Sequence, residues 1–149
     1  MGSVTLQPAR EPARATQRTA EHKQLNRSTR VLLVEDEPLT AEVFARALTR
    51  DGHRVDVARD GLQALRRLHD HPPSIVVLDM SLPALSGAEV VRRLRDEGHT
   101  ELPIVVVSGS SRAETNLGPA ELWPGTWLNK PVKPRDLVRI VRQFLGESD

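Results

Sequence analysis

From Val31 onward, short unbroken apolar runs alternate with stretches in which apolar residues recur every three or four positions. The runs are Val31-Leu32-Leu33-Val34, Ile75-Val76-Val77-Leu78 and Ile104-Val105-Val106-Val107. Rich in β-branched residues and free of polar alternation, they predict strands buried on both faces of a sheet. Two weaker segments, Arg54 to Ala58 and Thr126 to Asn129, keep the same rhythm and bring the predicted strands to five. Helices are predicted between them. The first spans about Pro38 to Arg50, with proline in the first turn and Val43, Phe44, Ala47 and Leu48 on one face, and ends at Asp51-Gly52. The second starts after Asp60 as N-cap, turns Leu62, Leu65 and Leu68 inward, and stops at His71-Pro72-Pro73. The third follows Ser86-Gly87 with Val90, Val91 and Leu94 as its stripe. The last begins near Pro134 and carries Leu137, Val138, Ile140, Val141 and Phe144 before Gly146.

The slot from Ser111 to Leu122 differs, because Asn116, Gly118 and Pro119 interrupt it. Proline inside a helix costs ~3 kcal/mol relative to alanine, so this helix is expected to be short, broken or mobile. Strand–helix alternation repeated five times predicts an α/β, doubly wound sheet of five parallel strands, with right-handed crossovers and helices on both faces. Ligands of such sheets bind beyond the carboxyl ends of the strands, where the strand order reverses.

Composition narrows the chemistry. A chain of 149 residues suits one domain with a buried core. The absence of cysteine excludes disulfides, thiolate metal sites and cysteine nucleophiles. No apolar stretch is long enough for a membrane span and no secretory h-region is present, so no membrane insertion and a cytoplasmic location are expected. The net charge of +1 conceals a division: residues 1–30 hold six basic and two acidic side chains, leaving −3 for residues 31–149. Residues 1–29 lack an apolar period and are expected to form a disordered basic tail ahead of a domain over 30–147. Such a tail suggests nucleic acid only weakly, and a solvated extension is the simpler reading. His53, His69, His71 and His99 lack a metal-ligand spacing and are expected at the surface.

At the carboxyl ends of the predicted strands stand Glu35 and Asp36, then Asp79, then Ser108, and Lys130 just beyond the fifth. Carboxylates brought this close repel one another unless a hard divalent cation neutralises them, and an oxygen-only donor set favours Mg²⁺. Asp79 ends the central strand and is the candidate nucleophile toward phosphorus. Lys130 can pair with its carboxylate or with phosphoryl oxygens, and Ser108 can donate to a phosphoryl oxygen.

These residues, across roughly 31–146, resemble the receiver domain of two-component response regulators. Val31 to Pro38 is similar to the family's acidic-pocket segment, Leu78-Asp79-Met80-Ser81-Leu82-Pro83 to its phosphoacceptor loop, and Leu128-Asn129-Lys130-Pro131 to its lysine–proline turn. Ser108-Gly109 fills the slot for Ser or Thr followed by a small residue. The resemblance implies a flavodoxin-like (βα)5 fold with strand order 2-1-3-4-5 and a phosphoryl group on Asp79. It implies Mg²⁺ bound by Asp36, Asp79 and the Ser81 backbone carbonyl, with Glu35 acting through water, and a cis bond between Lys130 and Pro131. Trp127 departs from the Tyr or Phe usual at the family's switch position. With the broken fourth helix, this bulkier residue predicts an unusually plastic output surface from Arg112 to Trp127 together with the last helix.

The resemblance implies a signalling switch, not a turnover enzyme, whose donor is a histidine kinase or histidine phosphotransfer protein and whose output is changed protein–protein binding. No output domain is expected after Asp149, and a stand-alone regulator, relay intermediate or adaptor is the expected role. A phosphorylation-independent pseudo-receiver is the alternative. A Mg²⁺-dependent aspartyl-nucleophile phosphatase is disfavoured, because Ser81 stands where such enzymes carry a second aspartate. The resemblance implies that the positions of Ser81 and Ser110 influence how fast the acyl phosphate hydrolyses, and because both are small and uncharged an intermediate lifetime is expected.

Overall fold

The computed structural model describes residues 29–147; the tail expected to be disordered lies outside the described residues apart from Thr29. Five parallel strands, β1 (Arg30–Val34), β2 (Arg54–Ala58), β3 (Ile75–Asp79), β4 (Ile104–Ser108) and β5 (Gly125–Asn129), form one sheet in the order β2-β1-β3-β4-β5. This is the expected doubly wound order, and it reverses between β1 and β3. The helices are α1 (Pro38–Arg50), α2 (Gly61–Asp70), α3 (Gly87–Asp96), α4 (Arg112–Thr115), α5 (Pro119–Leu122) and α6 (Pro134–Phe144). Among the described residues, no helix is long and apolar enough to cross a membrane.

Register explains why the apolar runs are unbroken. Val31 lies beside Val55 and Ile75, and Leu33 beside Val57 and Val77, so neighbouring strands send the same pleat to the same side. Leu32, Val34, Val76, Leu78, Ile104 and Val106 meet α2 and α3, whereas Val31, Leu33, Val77, Val105 and Val107 meet Phe44 and Leu48 of α1 and Leu137 and Val141 of α6. Every residue of β3 and β4 is buried, including the polar Asp79 and Ser108 at their carboxyl ends.

Local chemistry sets the helix starts. Glu37 caps α1 by accepting the Leu39 and Thr40 N–H groups, Asp60 caps α2 by accepting that of Gln63, and Ser86 caps α3 by accepting that of Glu89. Two inward assignments fail: Val43 is 51% exposed and Leu62 46%. The buried stripes run instead through Ala41, Phe44 and Leu48 in α1 and through Gly61, Ala64 and Leu68 in α2. At Gly61 an added Cβ would sit 2.4 Å from the Leu85 carbonyl oxygen. His53 also departs from expectation. It is buried, its Nε2 lies 3.1 Å from Asp51 Oδ2, and Arg142 binds the same carboxylate. Asp51 closes α1 and Arg142 belongs to the third turn of α6, so this cluster joins the ends of two helices on one face. The interrupted slot forms two four-residue helices, α4 and α5, separated at Asn116, which adopts the left-handed conformation (φ 61°).

Candidate functional site

The site is assembled at the carboxyl edge beside the reversal of strand order. Glu35 and Asp36 leave β1, Asp79 ends β3, Ser108 ends β4, and Lys130 follows β5. A main-chain bond from Lys130 N–H to the Ser108 carbonyl, 2.8 Å, fixes the last of these beside the fourth. The carboxylates of Glu35, Asp36 and Asp79 present oxygens within 4.8 Å of one another. Glu35 and Asp79 are buried and Asp36 is exposed, so the cluster opens on one side. Lys130 Nζ lies 3.4 Å from Asp79 Oδ2 and 3.7 Å from Glu35 Oε1, a single ammonium facing two buried acids.

The local backbone aims these groups. Ser81 N–H donates to Asp79 Oδ1 at 3.0 Å, which leaves Oδ2 toward Lys130. The loop that follows is held tightly. Gly87 N–H donates to the Met80 carbonyl, and a Cβ on Gly87 would lie 2.6 Å from the Asp79 carbonyl oxygen. Within that loop Ala84 takes a positive φ of 68°. The Ser108 hydroxyl is buried and accepts the Ser110 N–H at 3.0 Å. Both the expected Lys130–Pro131 bond and the unanticipated Trp123–Pro124 bond are cis.

Electrostatically the pocket is overloaded with negative charge. Burial pushes the Glu35 carboxyl up to about 7; the Glu37 N–H bonded to it pulls the other way, nearby Asp79 raises it further, and Lys130 lowers it. One ammonium does not balance three carboxylates. An oxygen-only donor set of this kind suits a hard divalent cation, so the residues present fit such an ion. A second grouping, Asp51, His53 and Glu147, does not fit one, because the Arg142 guanidinium already binds both oxygens of Asp51. Burial raises Asp51, but Arg142 and then His53 outweigh it and hold the carboxyl below its ordinary range.

Trp127, the expected switch residue, lies in β5 opposite Val106. It is half-buried against the α2/α3 core, and its Nε1–H donates to Asn129 Oδ1 at 3.1 Å. Glu37 was not singled out in the sequence, yet it serves the site twice, capping α1 and donating its N–H to Glu35 Oε2. An acidic residue directly before Pro-Leu-Thr was the available signal.

A family model described as the response regulator receiver domain matches residues 31–142. The chain belongs to this family. Response regulator MprA of Mycobacterium sp. (strain KMS) is 33% identical over 119 residues, covering 80% of this chain and 51% of that protein. The alkaline phosphatase synthesis transcriptional regulatory protein SphR of Synechococcus elongatus is 35% identical over 130 residues, covering 81% and 50%. The chain thus spans about half the length of these curated relatives. Among solved structures, response regulator protein TrrA of Thermotoga maritima, in complex with Mg²⁺-BeF, superposes with a TM-score of 0.68 at 25% identity, over 78% of this chain and 99% of that one. The receiver domain is a signalling module of two-component systems, and in this one the acidic cluster lies at the carboxyl edge of the sheet.

Proposed function

We propose that this receiver domain accepts a phosphoryl group on Asp79 from a phosphohistidine of a histidine kinase or histidine phosphotransfer protein, and signals by changed protein–protein binding. The observation that carries the proposal is the meeting of three carboxylates within 4.8 Å with one ammonium 3.4 Å from Asp79 and 3.7 Å from Glu35. In the transfer a lone pair of an Asp79 carboxylate oxygen forms the new O–P bond, and the electron pair of the breaking P–N bond returns to the donor imidazole. Lys130 holds its charge beside Asp79 Oδ2 and faces the oxygens that gain negative character. Ser81 N–H restrains the other carboxylate oxygen, orienting the nucleophile. Ser108, released from Ser110 N–H, donates its hydroxyl to a phosphoryl oxygen.

Asp36, Asp79 and the Ser81 carbonyl would hold Mg²⁺, with Glu35 contributing through water. Such an ion supplies positive charge that offsets the carboxylates and the incoming phosphoryl oxygens. The Mg²⁺-BeF complex of TrrA, a relative of 25% identity, supports this choice of cation. The test is intact-protein mass after incubation with acetyl phosphate and Mg²⁺. A Mg²⁺-dependent gain of one phosphoryl group, lost in Asp79→Asn, is expected. No gain in the wild type refutes the proposal in favour of a phosphorylation-independent docking domain.

A further inference from the structure

The segment between β4 and β5 has little helix of its own, and α3 holds it in place. Arg95 directs its guanidinium at five main-chain carbonyls and, among the described residues, at no carboxylate. Its Nε donates to Glu121 O (3.0 Å), Nη1 to His99 O (2.6 Å) and Leu102 O (2.7 Å), and Nη2 to Leu122 O (3.0 Å) and Pro124 O (3.2 Å). Two of those carbonyls belong to the last residues of α5, which a four-residue helix cannot satisfy internally. Three positions earlier and on the same face of α3, Arg92 donates from Nε to Glu121 Oε2 and from Nη2 to Asn116 O, both at 2.9 Å. The other Glu121 oxygen accepts the Gly118 N–H at 2.9 Å. Arg92 and Arg95 therefore grip the left-handed break at Asn116, the short helix α5 after it and the strand entry beyond.

The other end of α3 rests on the candidate phosphoacceptor. Gly87 opens the helix with no space for a Cβ, which would fall 2.6 Å from Asp79 O and 2.7 Å from Met80 Cα. Behind the same loop, Leu85 O presses on Gly61 just as closely. Between Asp79 and the first turn of α3 there is consequently no slack to absorb a shift of the loop, and α3 is a rigid rod about 15 Å long at ~1.5 Å per residue. We infer that Arg92 and Arg95 are positioning residues that carry the state of Asp79 to the surface around Trp123 and Trp127, with α3 as the moving element. The inference rests on Asp79 being the phosphoacceptor. It gives the coupling a physical chain of packed backbone, rigid helix and charge-assisted hydrogen bonds. It also recasts the plastic output surface expected from the sequence as a surface whose shape α3 dictates.

The chain's two tryptophans, Trp123 and Trp127, both lie on this surface, so intrinsic fluorescence reports on it alone. The full chain is treated with acetyl phosphate and Mg²⁺, and mass and fluorescence are recorded together for wild type, Arg92→Met and Glu121→Gln, with far-UV circular dichroism checking the fold. The wild type is expected to gain one phosphoryl group and change its fluorescence. Arg92→Met is expected to gain the same mass while its fluorescence change falls at least five-fold, and Glu121→Gln to lose about half of it. A purely structural arginine would lower the unfolding midpoint and leave the phosphorylation-dependent change intact, which would overturn the inference. A phosphorylated wild type with unaltered fluorescence overturns it as well, whereas a wild type that gains no mass overturns the phosphoacceptor reading and the inference with it.

Discussion

Replacing Arg142 by methionine tests whether the clasp between α1 and α6 is an electrostatic device or mere packing. Arg142 donates from Nε to Asp51 Oδ2 at 2.8 Å and from Nη2 to Oδ1, and the Asp51 side chain is only 9% exposed. Methionine keeps most of the apolar stem but strands a buried carboxylate with His53 as its remaining partner in the clasp. Stranding a fully buried charge costs about 3–5 kcal/mol. The Arg142 side chain is 33% exposed, so water compensates in part, and a loss of about 2 kcal/mol is expected at pH 7. For a domain of this size that corresponds to a fall of about 8 °C in Tm. The pH dependence carries the sharper test. Asp51 has a folded-state pKa below its unfolded value, so its contribution is complete above the ordinary carboxylate range and is lost as pH falls through the depressed folded value. In Arg142→Met burial acts with far less opposition and pushes the carboxyl up, which penalises the variant most at neutral pH. Urea unfolding of both proteins should therefore show a gap largest near pH 7 that narrows as pH drops below about 4. A loss below about 0.5 kcal/mol at pH 7, or a gap equally wide at pH 3.5, would refute this reasoning.

Three further outcomes are expected. Without Mg²⁺ at pH 8, Asp79→Asn should raise the unfolding free energy by about 1 kcal/mol, since it removes one of three crowded carboxylates; saturating Mg²⁺ should reverse the order by stabilising the wild type about 2.7 kcal/mol at one hundred times Kd, read by thermal denaturation. Ala84→Gly should add about 0.5–1 kcal/mol, because alanine is strained at φ 68°, and an unchanged or lower urea midpoint would contradict it. Gly87→Ala should lose about 2–3 kcal/mol, because the obstructing atoms are backbone; a Tm within a degree of wild type would show that the loop yields easily.

The sequence was most informative where local chemistry and burial agree. The runs at Val31, Ile75 and Ile104 are apolar throughout because β1, β3 and β4 are covered on both faces, and the N-caps Asp60 and Ser86 mark helix starts that depend only on neighbouring N–H groups. The acidic cluster was legible for a related reason: parallel topology sends every strand's carboxyl end to one edge, so Glu35, Asp36, Asp79, Ser108 and Lys130 could be brought together before any distance was known. Val43 and Leu62 misled because apolar periodicity does not say where a stripe is centred, and burial fell instead on the smaller Ala41, Gly61 and Ala64, with Gly61 lying against Leu85. Arg92 and Arg95 were invisible for another reason. Most of their partners lie between β4 and β5, up to 29 positions away, and nothing in the spacing of a surface-like arginine foretells that it will end on a set of carbonyls.

The strand order also bears on how the site comes into being as the chain is synthesised. Strands β3, β4 and β5 lie outward from β1 in the order in which they leave the ribosome, so each is synthesised after the neighbour it pairs with. The acids arrive early: Glu35 and Asp36 with the first strand, Asp79 with the third. The counter-ion arrives last, since Lys130 follows the final strand and is tied to β4 only by its own N–H. Any nascent chain long enough to bring β1 and β3 together thus holds the three acids of the pocket before it holds the ammonium that faces them.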